Sequence, residues 1–517
     1  MRTSTLSLFT LLFLALLAAC GADPSTPATP LSEIPLIPIP VEIVNGEGSL
    51  DLKALNSSPE LPKADRSLSA YLSEQGNWLS EMIPANMDGS ANITFTTDAS
   101  LPEEGYRLEV WPKGVQIASS TELGSFYGLQ TFRQLAEFAA TMDGGRLALG
   151  TITDQPRYGY RGLMLDIARH YHQPTEIKRL MDLMSQYKLN RLHLHLTDDQ
   201  GWRIEIKSWP KLTTVGGSTQ VGGKSGGFLT QAEYADLHAY AKTRGIIIVP
   251  EIDMPGHTQS ALASYPELNC NPKDPNPQLY EGTEVGFSTF CIGKPIVMKF
   301  VTDVLTELAA MTPGPYLHIG GDESHVTDSI DYRKFVADVE PIVRGLGKRM
   351  IGWDETVTAD IDKSAVLHFW ASKENAELAA KKGHKIIMSP ATNAYLDMQY
   401  DSTSRIGLHW AAYIEVDQGY DWDPAQFVDG ISDDNILGLE APLWSETVVE
   451  RADIDYLIFP RALGYAEMAW SPAAKRDWVT YRNRLAKHAP RLDALGVGYY
   501  RSKKVDWPAA RAATPTP

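Results

Sequence analysis

Short apolar segments recur along the C-terminal two thirds of the chain, and each is followed at once by a polar or charged cluster. Eight of them have the length of a buried strand, and they begin near Arg161, Arg191, Gly245, Tyr316, Arg349, Ala365, Lys385 and Ile436. Apolar residues between several of these strands recur with helical spacing, as at Ile177, Leu180, Met181, Met184 and Tyr187. This alternation predicts an α/β fold, a (β/α)8 TIM barrel over residues 154–505.

The segment before the barrel has a mixed pattern. Ala91–Phe95 and Tyr106–Val110 alternate as strands do, whereas Ser125–Glu137 has helical periodicity. We therefore predict a small α+β domain over residues 40–153. Because potential catalytic groups do not cluster at tight spacing there, we expect this domain to be structural.

The N-terminus predicts export and a lipid anchor. Residues 1–19 carry one basic residue and an apolar run that is too short to span a membrane but is typical of a signal peptide. The run ends in LAAC, which resembles the lipobox of bacterial lipoproteins and makes Cys20 the lipidated residue; plain secretion is the alternative. Residues 20–39, rich in Pro, Ser and Thr, are predicted to be an extended tether, and residues 506–517 a disordered tail. These features place the protein at the bacterial cell envelope, anchored in the periplasm or at the outer membrane.

Charge removes one class of partner. Lys and Arg total 47 against 64 Asp and Glu, so the net charge is −17. A chain this acidic repels a phosphate backbone, and we expect no nucleic-acid partner.

The remaining cysteines are predicted to pair with each other. With Cys20 lipidated, Cys270 and Cys291 are left, and an exported protein permits their oxidation. Two separate buried thiols are the alternative.

Acids and tryptophans follow the predicted strands where each one ends. The C-terminal ends of barrel strands meet at one mouth, where such enzymes build their active sites. Paired carboxylates and flat aromatic faces around one pocket are typical of glycosidic hydrolysis. The groups are Asp166–Arg169, Asp198–Asp199, Glu251–Asp253, Asp322–Glu323, Asp354–Glu355, Trp370 and Trp444–Glu446.

Four motifs, in order at strand ends, carry a resemblance to a known family. They are DIARHY from Asp166, HLHLTDDQGWRIEI from His193, EIDMPGH from Glu251 and HIGGDE from His318. The chain resembles the family 20 β-N-acetylhexosaminidases from about residue 40 to 505. The resemblance implies a retaining exo-hydrolase that removes terminal GlcNAc or GalNAc from oligosaccharides, such as chitooligosaccharides or glycoconjugates, without a cofactor.

The resemblance also assigns the catalytic roles. Glu323 protonates the glycosidic oxygen, while the substrate's own acetamido carbonyl attacks the anomeric carbon and forms an oxazolinium ion. Asp322 orients the acetamido N–H and balances the positive charge. Asp198 and His257 form a proton-tuning network with Glu323, whose proton we expect burial and neighbouring negative charge to retain.

Eight further residues are assigned to sugar binding by their match to the family. Arg169 holds the 3- and 4-hydroxyls; a salt bridge to Asp166 is the alternative. Trp353, Trp370 and Trp444 enclose the acetamido methyl and stack on the sugar ring, and Tyr395 donates a hydrogen bond to the acetamido carbonyl. Trp410 stacks on the next sugar, and Asp397 and Glu446 bind the 4- and 6-hydroxyls.

Two other functions compete with this interpretation. His193 and His195 lie on one face of a strand, as in a metal-dependent barrel hydrolase, although interior histidines satisfied by hydrogen bonds fit the pattern better. A non-catalytic surface lipoprotein that binds amino sugars would use the same pocket. The Gly-rich segment 215–228 is predicted to be mobile, either as a rim or lid or as a surface loop without a role.

Overall fold

The computed structural model describes residues 27–55, 69–71 and 90–509. The predicted signal peptide, Cys20 and residues 510–517 of the predicted tail lie outside these ranges, so their predicted roles stay predictions. The start of that tail is ordered instead of disordered, because Trp507 packs against the core and its Nε1 donates to Ser502 O. Within the described ranges, no helix has the length and apolar character needed to cross a membrane.

A five-stranded sheet with one long helix forms the N-terminal part. Its strands are β1 (Glu42–Asp51), β2 (Asn92–Thr97), β3 (Tyr106–Trp111), β4 (Gly114–Ser119) and β5 (Arg146–Asp154), in the order β1-β5-β3-β4-β2. Helix α1 (Glu122–Met142) begins where the Thr121 side chain accepts a hydrogen bond from Gly124 N. The apolar side of this helix shares a separate core with the sheet. The prediction of a small α+β domain before the barrel is confirmed.

The second part is a closed barrel of eight parallel strands. The strands are β6 (Tyr160–Asp166), β7 (Arg191–His195), β10 (Ile247–Glu251), β11 (Tyr316–His318), β12 (Arg349–Trp353), β13 (Val366–Phe369), β14 (Lys385–Met388) and β15 (Ile436–Leu443), and β15 pairs with β6 to close the barrel. A two-residue hairpin, β8 (Thr197–Asp198) with β9 (Gly201–Trp202), follows β7. The predicted TIM barrel is confirmed.

Helices surround the barrel because the strands present apolar residues outward. Leu192 and Leu194 of β7 pack into the core shared with the helices, whereas His193 and His195 point the other way, as period-two alternation requires. The helices are α2 (Pro174–Gln186), α3 (Lys211–Thr214), α4 (Gln231–Thr243), α5 (Gln259–Ser264), α6 (Pro295–Met311), α7 (Ser329–Gly345), α8 (Lys373–Lys382), α9 (Ala391–Ala394), α10 (Val416–Tyr420), α11 (Arg451–Ile458), α12 (Arg461–Trp470), α13 (Trp478–Lys487) and α14 (Ala489–Ala494).

Residues 31–39 correct the predicted tether. Leu31 and Ile37 are fully buried, and Ile37 exchanges two backbone hydrogen bonds with the Gln134 side chain of α1. Ile39 N donates to Glu467 of α12, so the segment ties the small domain to the barrel. The proline content suggested an extended spacer, but the apolar residues between the prolines gain more by burial than by exposure.

A disulfide joins Cys270 to Cys291, with their Cα atoms 5.1 Å apart, which is the pairing predicted from the sequence. It closes the segment between α5 and α6. Backbone bonding adds to the closure, because Cys291 N donates to Leu268 O.

The Gly-rich loop 215–228 is anchored, contrary to the predicted mobility. Arg203 is fully buried beneath the loop, and its guanidinium donates hydrogen bonds to main-chain carbonyls. In the middle of the loop, Val221 N donates to Arg169 O. The carbonyls that accept from Arg203 are those of Ile167, Ala168, Gly217, Thr219 and Gly227, so one side chain fastens the loop to the segment that carries Arg169.

We expect Arg203→Met to loosen this loop and to destabilise the fold. Burial lowers the pKa of Arg203 to about 10, so its side chain remains a cation at neutral pH. Its replacement by Met leaves several buried main-chain carbonyls without a hydrogen-bond donor. The free energy of unfolding should fall by about 3 kcal/mol or more, measured by thermal or denaturant unfolding, with faster proteolysis at residues 215–228. Arg333→Met, at an exposed position on α7, is the matched control. A loop as resistant to protease as in the unchanged protein would contradict the anchoring role.

Candidate active site

A sharp bend after β11 brings the paired acids into one pocket. Gly320 and Gly321 have φ of 66° and 100°, which favour glycine. A Cβ at Gly320 would lie 1.8 Å from Asp253 Oδ1, and that same oxygen accepts a hydrogen bond from Gly321 N at 3.0 Å. The bend explains how Asp322 and Glu323, adjacent in sequence, both line the mouth of the barrel.

Glu323, His257 and Asp198 form a chain of neighbouring groups. His257 Nε2 lies 3.6 Å from Glu323 Oε2, and His257 Nδ1 lies 3.2 Å from Asp198 Oδ1. Both His257 and Glu323 have positive φ, 54° and 45°, a strained conformation that clusters at functional sites. The structure therefore brings the three predicted proton-tuning residues together.

The charges of this site differ from the sequence expectation. Burial raises the pKa of Glu323, but the hydrogen bond and positive charge of His257 outweigh it, so the net pKa is lowered. Burial, opposed by His257 and helped by Glu323 and Glu251, raises the pKa of Asp322 to about 6. The expectation that Glu323 retains its proton in the free enzyme is wrong, because a histidine held positive by Asp198 is its near neighbour. Of these three groups, Asp322 and His257 have raised pKa values and hold a proton more readily than Glu323.

Arg169 contacts two acids, the predicted partner Asp166 and also Asp198. Its Nη2 lies 2.7 Å from Asp198 Oδ2, and its Nη1 lies 3.4 Å from Asp166 Oδ2. The guanidinium carbon lies 4.8 Å from the centre of the Trp444 ring, and Nε is buried without a hydrogen-bond partner in the described residues. The salt bridge to Asp166 is thus present, yet a donor remains beside the aromatic wall.

Aromatic side chains form the wall of the pocket. Trp353, Tyr395 and Trp444 are buried together in one cluster, with Trp370 packed against it. The ring centres of Trp353 and Trp444 are 5.8 Å apart, and those of Trp370 and Tyr395 are 6.4 Å apart. Trp410 is 59% exposed and lies 6.0 Å from Tyr395, so it stands at the rim.

Two further predicted acids, Asp397 and Glu446, have buried side-chain oxygens without partners among the described residues. Neither side-chain oxygen of Asp397 has a hydrogen-bond partner in the described part of the chain, and Glu446 Oε2 also lacks one. Burial raises the pKa of both carboxyls, and their mutual repulsion raises that of Asp397 further. Such groups are costly in a folded protein unless a ligand satisfies them.

The barrel interior holds groups that the sequence analysis did not assign to the site. His193, His318 and His368 lie close enough to hold a metal ion, but their ring nitrogens already face protein groups. His193 Nδ1 lies 2.8 Å from Glu440, and His368 Nε2 lies 2.6 Å from Ser389 Oγ. This arrangement favours interior histidines satisfied by hydrogen bonds. Glu251, which contacts several of these histidines, was predicted to lie among the acids at the strand ends but was given no role in the site. Its place in EIDMPGH, six residues before His257, was the available signal.

Models of one family cover most of the folded chain. The glycosyl hydrolase family 20 catalytic domain matches residues 158–473, and the family's domain 2 matches residues 33–155. The fold and the acid-lined, aromatic pocket thus define a glycoside hydrolase. The chain belongs to glycosyl hydrolase family 20, and its activity is of the β-N-acetylhexosaminidase class.

Relatives of known name agree with this assignment. A β-N-acetylhexosaminidase of Cellulomonas fimi is 38% identical over 426 residues, covering 81% of this chain and 85% of that protein. Among solved structures, the β-N-acetylhexosaminidase of Streptomyces coelicolor A3(2) matches with a TM-score of 0.85 and 42% identity, covering 93% of this chain and all of that one. A mutant β-hexosaminidase of Streptomyces plicatus, in complex with its product GlcNAc, matches with the same TM-score and identity over 94% of this chain.

Proposed function

We propose that this enzyme is a retaining exo-β-N-acetylhexosaminidase that uses the substrate's acetamido group as its nucleophile. It removes terminal GlcNAc or GalNAc from the non-reducing ends of chitooligosaccharides or glycoconjugates. GlcNAc is the product bound by the Streptomyces plicatus relative, which supports this substrate class.

One observation carries the mechanism most directly. Asp322, the residue before Glu323, is buried, and its Oδ1 has no hydrogen-bond partner among the described residues. A buried carboxylate oxygen without a donor is unfavourable until a ligand supplies one. The acetamido N–H is such a donor, and the bond would turn the acetamido carbonyl oxygen toward the anomeric carbon.

The proposed reaction then has two balanced steps. In the first, the carbonyl oxygen bonds to the anomeric carbon, the glycosidic bond breaks, and the leaving oxygen takes the proton of Glu323. In the second, the Glu323 carboxylate removes a proton from water, the water oxygen bonds to the anomeric carbon, and the oxazolinium ring opens to restore the acetamido group. Two inversions retain the β configuration.

The unpartnered groups of the pocket support the sugar-binding roles. In this proposal Arg169 binds the 3- and 4-hydroxyls, and Asp397 and Glu446 accept hydrogen bonds from the 4- and 6-hydroxyls. The aromatic wall holds the acetamido methyl, Tyr395 donates to its carbonyl, and the exposed Trp410 stacks on the next sugar. The wall comprises Trp353, Trp370 and Trp444.

The test compares nitrophenyl β-N-acetylglucosaminide, the β-N-acetylgalactosaminide and the plain β-glucoside, with and without EDTA. We expect turnover of the first two, near inertness of the glucoside, no effect of EDTA, and the β-anomer as the first product seen by NMR. A fast plain glucoside would overturn substrate assistance. Loss of activity in EDTA would favour a metal-dependent hydrolase, and binding without turnover would favour the amino-sugar-binding lipoprotein.

We also propose that the enzyme is exported and anchored to the bacterial envelope through a lipid on Cys20. The LAAC sequence supports this, although it lies outside the described residues. Labelling with a fatty-acid analogue in bacterial cells should mark the protein, and Cys20→Ala should abolish the label and release the enzyme from membranes.

A further inference from the structure

The buried carboxylate of Glu251 lies between the aromatic wall of the pocket and the histidines of the barrel interior. It ends strand β10 and is fully buried. Its Oε1 accepts a hydrogen bond from Trp353 Nε1 at 3.0 Å. Its Oε2 lies 2.5 Å from His195 Nδ1. One carboxylate therefore contacts both the aromatic wall and the interior histidines.

The contact with His195 continues to the acid–base group. His195 Nε2 lies 2.8 Å from Asp198 Oδ2, the oxygen that also contacts Arg169. The other oxygen of Asp198 faces His257, which faces Glu323. The groups from Glu251 through His195, Asp198 and His257 to Glu323 thus alternate between carboxylate and imidazole.

We propose that Glu251 is a positioning residue that aligns the acetamido-binding wall with the acid–base chain, through Trp353 on one side and His195 on the other. This inference rests on the proposed function. A carboxylate with two oxygens in a rigid strand end can fix two side chains relative to each other, which separate hydrogen bonds to separate acceptors would not do. The alignment matters because catalysis depends on the acetamido oxygen and the acid reaching the same carbon together.

The charges around Glu251 set the direction of the expected effect. Burial opposes its ionisation, but the surrounding histidines hold its pKa well below the usual range, so it is an anion. That anion helps to raise the pKa of Asp322 and holds His195 protonated. The titratable and charged groups facing Glu251 and His195 are His193, His318, Asp166, Arg169, Asp198, Asp253 and Asp322. Loss of the Glu251 anion should therefore lower the pKa values of Asp322 and His195.

Glu440 offers a matched control in the same interior. It is also fully buried and ionised, with His193 Nδ1 at 2.8 Å and Tyr160 Oη donating at 2.6 Å. Its described contacts reach neither Trp353 nor His195. Glu440→Gln therefore removes a comparable buried charge without breaking the proposed link.

The experiment measures the pH profiles of kcat and kcat/KM for the unchanged enzyme, Glu251→Gln and Glu440→Gln on nitrophenyl β-N-acetylglucosaminide. We expect Glu251→Gln to lower kcat roughly 10- to 100-fold and to move the basic limb of kcat/KM down by about half a pH unit or more. Glu440→Gln should lose similar thermal stability while keeping its basic limb in place. Equal profiles for the two variants would overturn the proposal, whereas an inactive unchanged enzyme would instead overturn the proposed function.

Glu251→Asp keeps the test decisive if the Gln variant does not fold. Aspartate retains the negative charge but withdraws the oxygens by one methylene, so alignment is lost while the charge remains. We expect kcat to fall about tenfold, with the basic limb unmoved. A kcat equal to that of the unchanged enzyme would refute the positioning role.

Discussion

Replacing Glu323 by Gln should reduce kcat/KM for alkyl and sugar leaving groups by roughly 10²- to 10⁴-fold, since the amide keeps the shape but has no proton to give. The rate of the first step should fall less when the leaving group is dinitrophenolate, because this group leaves without protonation. The measurement is single-turnover and steady-state kinetics across a series of leaving groups.

The control for this result is Glu267→Gln, an acid that is solvent-exposed on the barrel. It should behave as the unchanged enzyme. Thermal unfolding of both variants excludes a loss of folded protein as the cause. A Glu323→Gln enzyme with near-normal rates on poor leaving groups would show that another residue is the acid.

Replacing Asp322 by Asn should lower kcat by roughly 10²- to 10³-fold, because a neutral amide could not balance the charge of the proposed oxazolinium ion. The proposed mechanism needs Asp322 ionised and Glu323 protonated. The surroundings of the two acids favour the opposite order, because the pKa of Asp322 is raised to about 6 and that of Glu323 is lowered. The productive form is therefore a minority form, and kcat/KM should decline above pH ~6, when the last proton leaves the pair.

The Asn variant tests that order of titration. Without the group that titrates near pH 6, the basic limb of kcat/KM should move to lower pH. Stability should change in the opposite sense to activity. A carboxyl whose pKa is higher in the folded than in the unfolded protein destabilises the fold increasingly as pH rises from about 3.8 through 6, so the neutral amide should raise the unfolding midpoint at pH 7. A basic limb that stays at pH 6 in Asp322→Asn would contradict the assignment.

Much of the fold could be predicted because its signals are local. Period-two alternation in β7 separates Leu192 and Leu194, which pack outward, from His193 and His195, which point into the barrel. Gly320 and Gly321 permit a bend before Asp322, and the structure has it. The paired acids were identifiable because barrel geometry brings strand ends together. The pocket tryptophans were assigned by the resemblance to the family.

The errors arose where distant segments decide the outcome. Residues 31–39 look like a spacer until Gln134 and Glu467 provide partners more than 90 residues away. The Gly-rich loop looks mobile because the arginine that holds it, Arg203, bonds main-chain carbonyls that leave no trace in composition. Neither partner can be inferred from local pattern.

The sequence by itself determined the order of strands and helices, because that order depends on periodicity, and it placed acids at the strand ends; the resemblance of its motifs to a family singled out the catalytic ones. Only the tertiary structure decided how the acids are charged and what connects them. The proximity of His257 to Glu323, within 3.6 Å, reverses the expected order of titration in the free site. The described contacts of Glu251 with His193, His195, His318 and Trp353 join β10 to three other strands of the barrel. Electrostatic coupling of this kind depends on distances and burial that exist only after the chain has folded.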